Sequence, residues 1–187
     1  MMKKDTASQF SPMTLLLHWV VGVTMVALLA MGVVMVQTEN YGLFSWHKSF
    51  GVIIFFVVIL RVIWRSKNGW PTPVSQYSHL EHITAKIIHW VLIVGTVLMP
   101  ITGFLNSSVG GHGVVVFGVE LVARNVDPNN PRSALAHSEA LYSAAHVLHY
   151  AIGYIVIFAV LLHVVGALKH HIIDKDGTLK RMLGSKV

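Results

Sequence analysis

Four long apolar stretches divide the chain, and shorter polar segments separate them. They cover about 11–36, 46–65, 83–105 and 141–168. Each reaches or approaches the ~20 residues that a helix needs to cross a bilayer. Each is also apolar on all faces, whereas a surface helix of a soluble protein carries its apolar side chains on one face. The pattern predicts an all-α fold, an integral membrane four-helix bundle that forms a single membrane domain over 1–187.

The composition agrees with this interpretation and narrows the chemistry. Hydrophobic residues make up 54% of the chain and charged residues 12%, about half the charged share that is usual in soluble domains. The first stretch is too long for the core of a signal peptide, so it is interpreted as a retained span. The chain has 12 His and no Cys, which excludes disulfides, Cys-ligated zinc, iron–sulfur clusters and covalently attached haem.

The net charge of +6 could indicate nucleic-acid binding, but the basic residues lie at the ends of the spans. Eleven of the 14 fall on one side of the predicted membrane. Those eleven are Lys3, Lys4, Arg61, Arg65, Lys67, Lys86, Lys169, Lys175, Lys180, Arg181 and Lys186. Because cytoplasmic loops are enriched in Lys and Arg, this side is predicted to be cytoplasmic, with both termini inside. The charge therefore predicts a lipid bilayer as partner and no nucleic acid.

The loop at 106–140 is the longest on the predicted outer side. It contains an apolar run, Val114–Val122, that is too short to cross a bilayer, and we expect this run to form an interfacial helix or a lid on the bundle. A turn cluster follows at Asp127–Pro131. Since long loops in compact domains are often functional, this loop is a candidate for the entrance to a functional site.

Four histidines lie in or at the edge of the spans: His18, His47, His149 and His163. His149 and His163 lie about four helical turns apart on one face of the fourth span, with a rise of ~21 Å between them. Depth then pairs His163 with His18, and His149 with His47. Two imidazoles that face each other across a helix bundle can ligate a b-type haem axially. The sequence therefore predicts two non-covalent b-type haems.

One alternative remains open at this point. His146 lies one helical turn before His149 and could take its place in the outer pair, because helical geometry alone does not exclude it. The histidines assigned to loops are expected to face solvent. They are His79, His82, His112 and His137.

Several short motifs, taken in order, resemble the bacterial cytochrome b561 family over about residues 10 to 184. The first motifs are Leu17-His18-Trp19, Trp46-His47-Lys48-Ser49-Phe50-Gly51, Leu60-Arg61-Val62-Ile63-Trp64-Arg65 and Pro71-Thr72-Pro73. They are followed by His89, Pro100-Ile101-Thr102-Gly103, His149, His163, Ala167-Leu168-Lys169-His170-His171 and Asp176-Gly177-Thr178-Leu179-Lys180-Arg181-Met182.

The resemblance implies that His18, His47, His149 and His163 ligate the iron of two haems, which favours His149 over His146. It also implies a multi-pass protein of the bacterial inner membrane. A member of the family is a superoxide oxidase. By resemblance, this chain would oxidise superoxide to dioxygen on the periplasmic side and pass electrons through two haems to ubiquinone.

That chemistry suggests roles for four more residues. Lys48 adjoins His47 and is our candidate catalytic residue for steering superoxide, although a lysine at a span end also serves as a headgroup anchor. His89, His170 and Arg61 lie toward the inner side and are the expected neighbours of the quinone headgroup.

Two other functions fit the same sequence. The chain could be a cytochrome b relay subunit that links a redox partner protein, a dehydrogenase or hydrogenase, to the quinone pool, with the run 114–122 as its docking surface. A membrane anchor or small transporter without haem is the non-redox alternative.

Overall fold

A computed structural model describes residues 4–40 and 42–187; Lys3, one of the predicted inner basic residues, lies outside this part. The elements, in chain order, are α1 (Pro12–Thr38), α2 (Gly42–Asn68), α3 (His79–Val109), β1 (Val114–Val116), β2 (Val119–Val122), β3 (Val126–Asp127), β4 (Asn130–Ala134), α4 (Glu139–Ile172) and α5 (Thr178–Met182). Helices α1 to α4 are each long and apolar enough to cross a membrane. The four predicted spans are therefore confirmed, in a mostly helical fold.

The helices begin at capping residues, and some of these precede the apolar stretches. The side chain of Ser78 accepts a hydrogen bond from the Glu81 amide while the Glu81 carboxylate bonds back to Ser78, so α3 begins at His79 rather than near 83. The Ser138 side chain caps α4 by accepting a hydrogen bond from the Leu141 amide, without a bond in return. A capping side chain satisfies backbone N–H groups that have no partner within the helix. Polar residues outside the apolar run therefore set where these helices begin.

The bundle core is small, and large apolar side chains cover its outside. Val21, Met25 and Leu28 of α1 pack against Ile54 and Val58 of α2. On the outer faces, side chains such as Phe56, Phe158 and Val165 are 68%, 63% and 61% exposed. In water such a surface would aggregate, whereas in a bilayer it faces lipid tails.

Both termini lie at the same end of the bundle. The amide of Val187 donates to the carbonyl of Ser8 at 2.9 Å. The guanidinium of Arg181, a buried residue, donates to Ala7 O at 2.7 Å and to Thr72 O at 2.9 Å. We call this end of the bundle the terminal end. The opposite end, which carries the strands, is called the loop end. The positive-inside rule predicts that the terminal end is cytoplasmic.

The apolar run at 114–122 is a β-hairpin, so the expected interfacial helix is wrong. Strands β1 and β2 pair antiparallel around Phe117 and Gly118, which have φ angles of 46° and 89°. A two-residue turn with positive φ at both positions matches the twist of a hairpin, and β-branched valines favour strands. The hairpin packs on the start of α2, where the Phe117 amide donates to Ser49 Oγ at 3.1 Å. A second hairpin, β3–β4, follows it.

Candidate functional site

The structure brings the four span histidines together as two pairs. At the terminal end, the ring centroids of His18 on α1 and His163 on α4 are 6.2 Å apart. At the loop end, those of His47 on α2 and His149 on α4 are 6.3 Å apart. Helix α4 therefore contributes one histidine to each pair and holds the two pairs at different depths.

The spacing within each pair suits two axial ligands of one metal. An imidazole nitrogen binds a first-row metal at roughly 2 Å, and the ring centre lies roughly 1 Å behind it, so two opposed rings have centres on the order of 6 Å apart. Both pairs have this spacing. Neutral imidazoles on rigid helices are also the donors that hold haem iron in b-type cytochromes.

Two residues of α3, Thr102 and Gly103, shape the position of His149. The Thr102 hydroxyl donates to the carbonyls of Leu98 and Met99, so its oxygen accepts from Nδ1 of His149 at 3.0 Å. The ring proton is then on Nδ1, which leaves the Nε2 lone pair free for a metal. A Cβ on Gly103 would lie 2.9 Å from Cε1 of His149, so glycine makes room for the ring. Both residues belong to the motif Pro100-Ile101-Thr102-Gly103, but the sequence alone did not indicate that they contact His149.

His47 completes the loop-end pair and has an unsatisfied ring nitrogen. Its Nδ1 is buried and has no hydrogen-bond partner in the described part of the chain. A buried polar atom without a partner costs free energy in apolar surroundings. The space between α2 and α4 therefore suits a bound group that the rings of His47 and His149 can ligate.

At the terminal end, Arg61 and His89 gather around the pair. Nη2 of Arg61 lies 3.2 Å from Nδ1 of His18, and the ring of His89 lies 5.3 Å from that of His163. A guanidinium only donates, so Nδ1 of His18 accepts here and the proton of the neutral ring is on Nε2. If Nε2 binds a metal, that proton moves to Nδ1 and Arg61 must turn away. Arg61 is then a positive charge inside the bundle that is free to meet an anionic or carbonyl group.

His170, the third residue predicted near the quinone, is engaged by other residues. It lies about two helical turns beyond His163, where its ring contacts that of Tyr77 at 4.7 Å. Its Nδ1 lies 2.9 Å from the carboxylate of Asp174 and 3.3 Å from that of Asp176. Asp174 and Asp176 follow His170 closely in the sequence, whereas Tyr77 comes from the segment before α3, and only the fold brings its ring against that of His170.

Lys48 lies at the loop end, half-buried beneath the start of the long loop. Its Nζ donates to the carbonyl of Gly113 at 3.1 Å. Burial lowers the pKa of His112, and the nearby charges of Lys48, Arg124 and His146 lower it further. Lys48 and Arg124 therefore form a cationic pair at this end, with the neutral ring of His112 beside them.

His146 lies on the exposed side of α4, away from the loop-end pair. Its ring contacts those of Tyr142 and Tyr150, with centroids 5.9 and 4.8 Å away. The ring that faces His47 is that of His149, so the structure distinguishes two histidines that helical geometry alone left equivalent.

Comparisons with known proteins agree with these features. A family model for prokaryotic cytochrome b561 matches residues 9–185. The chain is 30% identical to cytochrome b561 homolog 2 of Escherichia coli (strain K12), over 96% of this chain and 94% of that protein. It is 26% identical to cytochrome b561 homolog 1 of the same organism, over 94% of this chain and 97% of that protein. It is 27% identical to the protein named "Probable superoxide oxidase CybB" of Yersinia pestis, over 75% and 74% of the two chains. The chain belongs to the prokaryotic cytochrome b561 family, b-type haem proteins of the bacterial inner membrane, which it crosses with several helices.

Proposed function

We propose that the chain is a di-haem cytochrome b that oxidises superoxide on the periplasmic side and reduces ubiquinone in the membrane. The observation that carries the proposal is the pair of facing imidazoles at each of two depths, with ring centroids 6.2 and 6.3 Å apart. His18 and His163 would hold one haem, and His47 and His149 the other. When bound, each haem would accept and release one electron at a time.

Electrons and protons balance in the proposed reaction. Two superoxide ions lose one electron each and become two dioxygen molecules. One ubiquinone gains those two electrons and two protons and becomes ubiquinol. The protein must therefore admit an anion at one end and supply protons at the other.

The cationic pair at the loop end would attract the anion. Lys48 and Arg124 lie close enough for their charges to interact, and positive potential raises the encounter rate of a small anion. Lys48 follows directly after His47, so its charge lies beside the loop-end pair. The superoxide oxidase name of the Yersinia pestis relative supports superoxide as the electron donor.

Arg61 and His89 would receive the quinone headgroup beside the terminal-end pair. The guanidinium of Arg61 can donate to a quinone carbonyl oxygen, and the imidazole of His89 can hand on a proton. We leave His170 out of this contact because Tyr77, Asp174 and Asp176 engage its ring.

Haem quantitation in purified variants tests the ligands. His18→Ala or His163→Ala should each remove one haem, and His47→Ala or His149→Ala the other. His146→Ala is the matched control and should retain both. Full haem content in His149→Ala together with loss in His146→Ala would contradict the assignment.

A superoxide pulse tests the electron donor. Oxidised protein in detergent, mixed with superoxide and ubiquinone, should show haem reduction and ubiquinol formation faster than superoxide dismutes. Lys48→Gln should slow haem reduction, and added salt should slow the wild type toward the variant. Haem reduction no faster than dismutation would contradict superoxide as the donor.

One feature favours a second candidate, the relay subunit for a partner dehydrogenase or hydrogenase. The β1–β2 hairpin exposes Val115, Phe117, Val119 and Leu121 at the loop end. An exposed apolar patch at the end of a membrane domain suits a protein partner. The same superoxide pulse separates the two functions, because the relay needs no reaction with superoxide.

A further inference from the structure

We propose that His170, Asp174 and Asp176, at the terminal end, form a binding site for a divalent metal ion of the Zn²⁺ or Mn²⁺ class. Each residue offers one ligand atom, which is the ring Nδ1 of His170 or a carboxylate oxygen of an aspartate. These three atoms lie within 4.8 Å of one another. An imidazole nitrogen with two carboxylates is a donor set for such borderline ions, and water completes the coordination. The site is separate from the two histidine pairs, and its test does not depend on the proposed function.

The distances within the cluster match those between ligands of one ion. Nδ1 of His170 lies 2.9 Å from Oδ2 of Asp174 and 3.3 Å from Oδ2 of Asp176. Ligands that each bind at roughly 2.0–2.2 Å are about 3 Å apart at octahedral angles and slightly more at tetrahedral angles. The nitrogen is therefore spaced from each oxygen as two ligands of one ion are.

The ring nitrogen has no other satisfying partner. Nδ1 of His170 is a buried atom that makes no hydrogen bond of acceptable geometry within the described residues, although two carboxylate oxygens are close to it. A short N···O distance without alignment does not make a hydrogen bond. An ion between the nitrogen and the oxygens would give the nitrogen the partner that it lacks.

Neighbouring groups already orient the ligands, as the outer partners of metal ligands do. The Tyr77 hydroxyl donates to Oδ2 of Asp176 at 2.8 Å, and the Thr178 amide donates to its Oδ1 at 2.8 Å. Hydrogen bonds donated to both carboxylate oxygens favour the ionised form, which a metal ligand must have.

The side chains around this cluster carry an excess of negative charge, which favours a divalent cation. Lys169 forms ion pairs with both Glu81 and Asp174. His170 lies close to both Asp174 and Asp176. Three carboxylates against Lys169 and the nearby Arg181 leave one negative charge in excess when His170 is neutral. This excess attracts a divalent cation, and Lys169 competes with the cation for Asp174.

Metal binding to the haem-loaded, full-length protein tests the site. The protein would be purified in detergent without a histidine tag, freed of metal with EDTA and titrated with Mn²⁺, with free Mn²⁺ followed by electron paramagnetic resonance. We expect one saturable Mn²⁺ per chain, and at least tenfold weaker binding in His170→Ala and in Asp176→Asn. Lys169→Met should bind Mn²⁺ more tightly.

His171→Ala is the matched control, because His171 is the adjacent, exposed histidine of the same helix. It should bind Mn²⁺ like the wild type. The haem absorbance spectrum shows whether each variant is folded, and Asp176→Asn replaces His170→Ala if the latter does not fold. Equal affinity in the wild type and in Asp176→Asn, or no saturable site in the wild type, would overturn the proposal.

Discussion

The hydroxyl oxygen of Thr102 accepts a hydrogen bond from Nδ1 of His149 at 3.0 Å. This contact holds the ring proton on Nδ1 and leaves Nε2 free for a metal, and it increases the electron donation of the ring to a bound metal. Loss of such an outer partner commonly weakens metal binding about 10-fold or more. We therefore expect Thr102→Val to release the loop-end haem about 10 times faster, as measured by haem transfer to apomyoglobin.

Thr96→Val is the matched control for that variant. Thr96 is buried on the same helix, and its hydroxyl donates to the carbonyl of Ile93. The substitution removes the same atoms without contact to a histidine. Equal haem loss in the two variants would show that the hydrogen bond to His149 does not matter for the cofactor.

Gly103→Ala should displace the ring of His149. The added Cβ would lie 2.9 Å from Cε1 of that ring, which is too close for two carbon atoms to share without movement. We expect a lower haem content and a shifted haem absorbance spectrum in the purified variant. In Gly22→Ala the new Cβ meets nothing within 4 Å, so this control should keep its haem and gain about 0.5–1 kcal/mol of helix stability. Normal haem content and spectrum in Gly103→Ala would contradict the role given to this glycine.

The paired histidines could be found from the sequence because each signal is local to one helix. His149 and His163 share a face through the helical repeat, and depth within an apolar span selected their partners. Thr102 could not be found in this way. A threonine in an apolar span usually bonds its own helix, and only the distance between α3 and α4 shows that it also reaches His149.

The loop-end hairpin and the cluster at His170 were missed for different physical reasons. A short apolar run such as Val114–Val122 is compatible with a helix or a strand. The deciding turn needs positive φ angles at Phe117 and Gly118, which glycine favours and phenylalanine does not. In the cluster at His170, the two aspartates are close in sequence to the histidine, but the turn after α4 that brings both carboxylates back onto the ring follows no simple pattern. The contacts of Tyr77 with this cluster connect the segment before α3 to the segment after α4, so no local pattern indicates them.

Arg61→Gln should lower the midpoint potential of the haem bound by His18 and His163. The guanidinium lies on the His18 side of that pair, and it stays inside the bundle when it turns away from Nδ1. A positive charge beside a haem stabilises the reduced, more negative state. In the partly dry interior a unit charge at this range shifts the potential by tens of millivolts. A spectroelectrochemical titration measures this shift. Arg65→Gln, which removes a charge paired with Asp5, is the control, and an equal shift in both variants would contradict a specific effect of Arg61.

Asp5 fastens the amino-terminal segment to the ends of α1 and α2. Its carboxylate accepts from the Thr14 hydroxyl at 2.7 Å, from the Ser11 amide at 2.9 Å and from Arg65 at 3.1 Å. Removing a charged hydrogen-bonding partner costs about 1–3 kcal/mol. We therefore expect Asp5→Asn to unfold at lower denaturant concentration than the wild type at pH 7, as measured by tryptophan fluorescence in detergent.

The stability difference between the wild type and Asp5→Asn should also depend on pH. Burial raises the pKa of Asp5, but the hydrogen bonds from Ser11 and Thr14 and the charge of Arg65 outweigh it, so the pKa lies below its ordinary value in the folded protein. A carboxyl group with a lowered folded-state pKa stabilises the fold above its unfolded pKa of about 3.9, and that contribution is lost as the pH falls through the folded pKa. The difference should be constant from pH 7 to about 5 and shrink below about 4. Haem loss in acid affects both proteins alike, so only the difference reports on Asp5, and a difference that grows toward low pH would contradict the role assigned to this carboxylate.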